Sequence, residues 1–342
     1  MKFWDREKEK EWLKRYLQTE PNAILFVYGP KSSGKSTLLR QVLDELMADE
    51  EFSFQHCVYW FDLRGKLVAS YKDVIEIFFI DEEAYTSLKE GSRRVEAGFA
   101  PFFKVSIESK KLMGERRLDP FVYMEEVLKE EGKKGVIVFD ELQKLKDVYL
   151  NGDSKQRPLV KELFNFFVRL TKVLHLAHVI VMTSDTFFIE QVYTDSTLAN
   201  TSRFYLVDFF DDETAVKILM GEGVDEGTAK EIVEQAGGVP WILEEVLEGD
   251  KEILKRIAEE VKGSIRETFG NIYERDPGEL EELLELLRRF LEGKEIEVMG
   301  KDRKAVKKLV EAEVLFYDPV EGRLRFQSGL HERAVRELLG VE

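Results

Sequence analysis

Two glycines, a lysine and a serine fall at the spacing G-x-x-x-x-G-K-[ST] in Gly29-Pro30-Lys31-Ser32-Ser33-Gly34-Lys35-Ser36, with Thr37 next. This phosphate-loop (Walker A) pattern suits a polyphosphate. Gly29 and Gly34 let the backbone curl so that its N–H groups face phosphate oxygens. Lys35 is placed to reach the β- and γ-phosphates, and the Ser36 hydroxyl to ligate Mg²⁺. A second run, Val136-Ile137-Val138-Phe139-Asp140-Glu141-Leu142-Gln143, ends four apolar residues in two carboxylates. A buried parallel strand delivers such acids to its C-terminal end. There Asp140 can hold Mg²⁺ through water and Glu141 can polarise an attacking water as general base. Gln143 has two readings, a γ-phosphate sensor or a helix cap.

The elements that must position these residues follow from the apolar patterning. Ile24–Tyr28 reads as a buried strand before the loop, and a helix from Thr37 follows it. The loop then lies at a helix N-terminus, whose positive end favours phosphate. Residues 3–18 form an amphipathic lead-in helix, and Phe3, Trp4 and Arg6 are candidates to pack beside an adenine or simply on the sheet. Phe54 to Leu63 reads as a second strand ending in Asp62. Residues 64–133 are long for one connection and read as an elaborated insert. It carries helix-like stretches at Ser70–Ile80, Glu82–Lys89 and Pro120–Glu130, and a mixed segment at Val95–Leu112. Pro158–His175 is an amphipathic helix, and His178–Met182 a strand ending in Thr183-Ser184. Thr183 or Ser184 is placed to bond a γ-phosphate or lytic water, or to cap the next helix. His175 and His178 have no ligand cluster beside them, so no metal site is expected there. A last strand, Thr201–Val207, carries Arg203, which reads as an arginine finger in cis or toward a neighbouring subunit, or as a structural ion pair.

Four helices are expected next, at Asp212–Met220, Glu226–Gln235, Val239–Leu247 and Lys251–Phe269, with Gly237-Gly238-Val239-Pro240 closing one and opening the next. The last part holds a Leu-rich helix at Glu279–Leu291 and a basic helix at Lys301–Val310. Two strands, Val314–Tyr317 and Leu324–Gln327, close the pattern of a winged helix-turn-helix. Lys301, Arg303, Lys304, Lys307 and Lys308 would lie along its recognition helix.

Composition sets the outer bounds. A length of 342 residues accommodates two or three domains. The net charge of −16 argues against a surface that coats nucleic acid. From Glu279 onward 15 acidic residues face 12 basic ones, a net of −3, so DNA binding needs a concentrated local face. The single cysteine, Cys57, excludes an intramolecular disulfide and suits a reducing compartment. No run is long enough for a membrane span and the charged start is not that of a signal peptide, so a cytoplasmic protein is expected. A charged content of 35%, rich in Lys and Glu, leans toward a thermophile.

With these residues in order, the chain resembles the archaeal ATPase family of P-loop proteins, related to the signal-transduction ATPases with numerous domains and to AAA+ origin-recognition ATPases. The resemblance runs from Phe3-Trp4-Asp5-Arg6-Glu7 through the phosphate loop, Asp140-Glu141-Leu142-Gln143, Thr183-Ser184, Arg203 and Gly-Gly-x-Pro to Leu315-Phe316-Tyr317-Asp318-Pro319. It implies an α/β fold with an additional-strand P-loop core, parallel sheet order 5-1-4-3-2, a helical lid and a C-terminal winged helix. The expected domains are a core at 1–207 (insert 64–133), a lid at 208–276 and a winged helix at 277–342. It makes Pro240 a nucleotide contact, while no arginine stands at the second-sensor position of an AAA+ lid. The implied function is an Mg²⁺-dependent ATPase acting as a conformational switch, with a winged-helix output toward a protein or DNA partner. The alternative is an ATP-regulated DNA-binding protein of the origin-recognition type. No Asn-Lys-x-Asp guanine signature occurs, and a small-molecule kinase would explain neither Asp-Glu-x-Gln nor the winged helix. Partner identity and oligomeric state are not legible.

Overall fold

The computed structural model describes residues 4, 6–81, 99–100, 103–150, 157–195, 198–249 and 252–341. It divides into two compact units. One comprises Arg6–Tyr28 with Lys35–Leu206, and the other Met1–Asp5, Gly29–Gly34 and Val207–Glu342. The segments expected as lid and winged helix both belong to the second of these units.

The first unit is built on a parallel sheet. Its strands are β1 (Ile24–Tyr28), β2 (His56–Asp62), β4 (Phe99–Ala100), β6 (Lys134–Asp140), β9 (Ala177–Thr183) and β10 (Ser202–Leu206), ordered β10-β1-β9-β6-β2-β4. The five principal strands carry the order 5-1-4-3-2, and β4 from the insert extends one edge. A parallel pair, β3 (Phe79–Asp81) with β5 (Phe103–Val105), and a hairpin, β7 (Tyr149–Leu150) with β8 (Arg157–Pro158), complete its strands among the described residues. All five residues of β1 and all seven of β9 are buried, as a sheet covered on both faces requires. Helix Lys35–Met47 buries Leu38, Leu39, Val42, Leu43 and Leu46, an i, i+1, i+4, i+5, i+8 stripe.

Strand register does the positioning. Tyr28 pairs with Thr183, Met182 with Asp140, and Asp140 with Asp62. Four C-terminal strand tips therefore end together. Behind them Phe139 stacks on Phe61 at 5.1 Å and meets Phe167, tilted, at 4.8 Å, and Phe61 meets Phe78 at 4.8 Å. The insert is part of this core: Phe78, Phe79, Phe103, Met113, Met124 and Leu128 are buried with the sheet's own residues. Each such side chain contributes about 1.5–3 kcal/mol by burial.

Two local expectations need correction. Phe54 does not begin the second strand. It lies in helix Glu50–Gln55, capped by the Asp49 side chain, and is 80% exposed, so the strand starts at His56. The expected helix Pro158–His175 is α-helical only over Leu159–Val168. A π-turn, Arg169–Val173, follows, and the backbone reverses at His175 with φ of 50°. The stretch Glu82–Lys89 and the first part of Val95–Leu112 lie outside the described residues. Pro120–Glu131 is helical as expected, with Asp119 capping it and Pro120 at its first turn.

The second unit opens with helices Asp212–Gly221 and Glu226–Ala236, capped by Asp211 and Asp225, then Pro240–Glu248 and Ile253–Arg275. Between the second and third helices Gly238 bridges Phe210. A Cβ on Gly238 would sit 2.0 Å from the Phe210 carbonyl oxygen, which glycine alone avoids. Helix Ile253–Arg275 buries Ile257, Val261, Ile265 and Phe269 at four-residue spacing and packs against the final helix, Gly329–Leu339. Before that helix come Pro277–Leu291, Arg303–Glu311 and the hairpin of β11 (Leu315–Asp318) with β12 (Arg323–Phe326), the element order of a winged helix. Asp318 closes the hairpin by accepting the N–H groups of Val320 and Glu321. No helix among the described residues is long and apolar enough to cross a membrane.

Removing the central ring of the first unit tests this packing. Phe139→Ala should destabilise the unit by about 3–5 kcal/mol in urea unfolding, and a loss below about 1 kcal/mol would contradict a core centred on that ring.

Candidate functional site

The first unit gathers its charged groups at the strand tips. Ser36, the second residue of helix Lys35–Met47, donates its hydroxyl to Asp140 Oδ2 at 2.9 Å. Lys35, beside it, is 8% exposed. Burial pushes its ammonium down to about 8; Glu141 and Asp140 pull it back up, and the Arg64 and Arg6 charges add to the depression. Asp140 is 2% exposed, and burial lifts its carboxyl above the ordinary range against the Arg64 charge and the Ser36 hydrogen bond. Ser36 and Asp140 thus offer two hard oxygens in contact, the donor chemistry that Mg²⁺ prefers.

Glu141 is the first residue beyond β6. Its N–H donates to Met182 O at 2.9 Å, which holds it against β9, and its backbone is left-handed, with φ of 67° and ψ of 44°. Non-glycine residues are uncommon there, and the conformation aims the side chain away from the strand's own alternation. Gln143 Nε2 donates to Glu141 Oε2 at 2.5 Å, and Ser184 Oγ lies 3.5 Å from Glu141 Oε1. Gln143 is therefore not a helix cap. Its amide fixes the carboxylate, while its own Oε1 is buried with no hydrogen-bond partner.

The structure separates Thr183 from Ser184. Thr183 is fully buried and its Oγ1 accepts the Asp185 N–H at 2.9 Å, while Asp185 caps the next helix. Ser184 is the one that reaches the Glu141 carboxylate. Arg203 is not brought to this cluster. It is second in β10, opposite Leu25, three residues short of the strand's C-terminal end, with an exposed side chain and its Nη1 donating to Ser202 O at 3.2 Å. Arg6 is 6% exposed, pairs with Glu9 at 3.0 Å and acts electrostatically on Lys35. His175 and His178 hydrogen-bond to the Pro21 and Thr19 carbonyls.

In the second unit, the segment Gly29–Gly34 shows the curl that its sequence requires. Gly29 has φ of 152°, Ser32 59° and Gly34 89°, and Ser33 is fully buried with its N–H donating to Pro30 O at 3.2 Å. A Cβ on Gly29 would meet Val207 O at 2.2 Å. Lys31 Nζ lies 2.7 Å from Glu313, in the turn after helix Arg303–Glu311. Lys31 and Ser32 line a cavity of about 580 Å³ with Phe209, Val239, Trp241 and His331; Val239 and Trp241 flank the buried Pro240. Trp4 Nε1 donates to Glu222 at 3.2 Å, and Phe3 lies outside the described residues.

The expected basic helix is neutralised at close range. Lys304 and Lys308 both pair with Glu279, at 3.2 and 3.3 Å, Lys301 with Glu297 at 3.1 Å and Lys307 with Glu311 at 3.8 Å. Arg303 contacts Met299 Sδ at 3.5 Å.

One pair of site residues escaped the sequence reading. Arg64 binds Asp62 through Nε and Nη2, both at 3.1 Å, and its Nη2 is also 2.9 Å from Asp140 Oδ2. Burial works to raise Asp62, but the hydrogen bonds from Arg64 outweigh it and the carboxyl lies below its usual range. The signal was Asp62 at a strand end with an arginine two residues on.

The family model described as "ATPase domain predominantly from Archaea" matches residues 3–246, and one for the C-terminal domain of uncharacterized MJ1010-like ATP-binding proteins matches 242–339. An uncharacterized ATP-binding protein of Methanocaldococcus jannaschii is 36% identical over 99% of this chain and 95% of its own length. One from Pyrococcus abyssi is 32% identical over 98% of each. Among solved structures, the ORC2 protein of Aeropyrum pernix, in ADPNP–ADP complexes, aligns over 99% of this chain and 95% of its own with a TM-score of 0.51 and 12% identity, a likeness of fold. The chain belongs to the family of ATPase domains found predominantly in Archaea.

Proposed function

We propose that the protein binds ATP with Mg²⁺ at Gly29–Ser36 and hydrolyses it, and that the nucleotide state sets the conformation of the second unit. The observation that carries this reading is the Ser36–Asp140 hydrogen bond of 2.9 Å beside buried Lys35, with Glu141 fixed by Gln143. Ser36 and Asp140 would hold the Mg²⁺, which when bound neutralises phosphate charge. Gly29, Pro30, Lys31, Ser32, Ser33 and Gly34 supply the loop, and Thr37 the first turn behind it. Lys35 sits where phosphate oxygens would restore the stabilisation that burial removes. Glu141 takes the proton of a water, Gln143 holds one carboxylate oxygen still, and Ser184 orients the other. Arg6 adds positive charge near Lys35. Val239 and Trp241, in the cavity that also includes Lys31, support Pro240 as part of the nucleotide's surroundings.

For the output, the Lys31–Glu313 pair supports a link between the phosphate loop and the winged-helix segment. A protein partner is favoured over DNA, because the basic helix has carboxylates against Lys301, Lys304, Lys307 and Lys308. Such surface pairs are individually weak, but duplex phosphates would have to displace them and would meet little net positive field.

Lys35→Ala should weaken ATP binding at least about 100-fold, measured with a fluorescent nucleotide, because it removes a charge-assisted contact to phosphate. Glu141→Gln should leave binding within a few-fold and reduce phosphate release by about 100-fold or more. Unchanged turnover in both variants would remove the assignment. Gln143→Ala should lower turnover about tenfold with binding intact, since a loosened carboxylate loses orientation. In mobility assays at about 50 and 200 mM salt, no duplex retention is expected; retention that falls steeply with salt would favour the DNA-binding alternative.

A further inference from the structure

Asp140 Oδ2 carries two donors, the Ser36 hydroxyl at 2.9 Å and Arg64 Nη2 at 2.9 Å. The oxygen that would face a divalent cation is already in contact with a positive charge. Arg64 is anchored independently of that contact: its backbone N–H and its Nε both bond Asp62 Oδ1, at 2.9 and 3.1 Å. Its side chain is 49% exposed, so the guanidinium has open space to turn into while Asp62 keeps hold of it. Asp140, at 3% side-chain exposure, has no such freedom.

We propose that Arg64 is a displaceable internal counter-cation, which neutralises Asp140 until a metal–nucleotide enters and thereby sets the affinity for the metal. The inference rests on the Mg²⁺–nucleotide reading above. An isolated buried carboxylate is strongly unfavourable, and a tethered guanidinium removes that penalty between rounds of binding. A guanidinium and a divalent ion at one carboxylate oxygen repel each other, so in this proposal the metal binds best once Arg64 has turned away from Asp140 Oδ2. Its apparent dissociation constant then rises in inverse proportion to the fraction of molecules in which Arg64 has already left. Asp62 directs the released guanidinium and keeps it at the strand tips. Arg64 is thus a positioning residue that acts through Asp140.

Mn²⁺ titrated into the ADP-saturated full chain, with free Mn²⁺ followed by its paramagnetic resonance signal, tests this. Arg64→Gln and Arg64→Met should each bind Mn²⁺ about five- to tenfold more tightly than the parent, and Arg64→Lys should stay near it, following the competent-fraction relation. Unchanged or weaker Mn²⁺ binding in both neutral variants would overturn the inference, because a purely structural Arg64 would leave Asp140 worse placed for metal. Fluorescent-ADP titration in excess chelator separates the two readings. Loss of ADP binding in both neutral variants makes Arg64 a structural requirement and also overturns the inference. A parent chain that binds no ADP fails the nucleotide reading itself.

Discussion

Burying the Lys35 ammonium constrains everything else at the strand tips. A buried cation is stable only beside anions, and the anions supplied, Asp140 and Glu141, come from a strand about a hundred residues away in sequence. The sheet order that sets β6 between β9 and β2 is what delivers them. Asp140 in turn needs a donor and a positive neighbour, which it finds in the Ser36 hydroxyl and in Arg64, and Arg64 also binds Asp62. The chain of compensation runs from helix to strand to strand, and its members are in register because β2, β6 and β9 are parallel and end together.

What the sequence disclosed and what it withheld divide along this line. The phosphate loop and the Asp-Glu motif are local patterns, each complete within eight residues, and both strands that precede them are continuous apolar runs. Their placement therefore follows from patterning alone, whereas the strand order comes only as an implication of the family resemblance. Arg64 was missed because its partner on β6 lies 76 positions away, and only strand pairing brings Asp62 and Asp140 side by side. Arg203 is the opposite case. A lone arginine in a short edge strand looks available for phosphate, and only strand register shows that it lies opposite Leu25, short of the tips where this chain's own carboxylates gather.

Propensity and tertiary packing also compete visibly. Phe54 reads as strand because aromatic residues favour sheets, yet Asp49 caps a helix over it and leaves the ring in solvent. The apolar stripe of Pro158–His175 continues past the point where the α-helix ends, since Leu170 is buried while the backbone has widened into a π-turn. In the basic helix, pattern and context differ: lysines that look like a phosphate-binding row have glutamates beside them, from neighbouring segments and, for Lys307, from the helix itself.

The left-handed backbone of Glu141 has a consequence for how this chain can drift. A side chain held there costs about 1 kcal/mol or more relative to glycine or asparagine, so random substitution toward either would relax the backbone and stabilise the fold. Both changes delete the carboxylate that Gln143 and Ser184 hold. At Glu141 stability and the proposed chemistry pull in opposite directions, so a variant that gains stability there is expected to lose the carboxylate's chemistry.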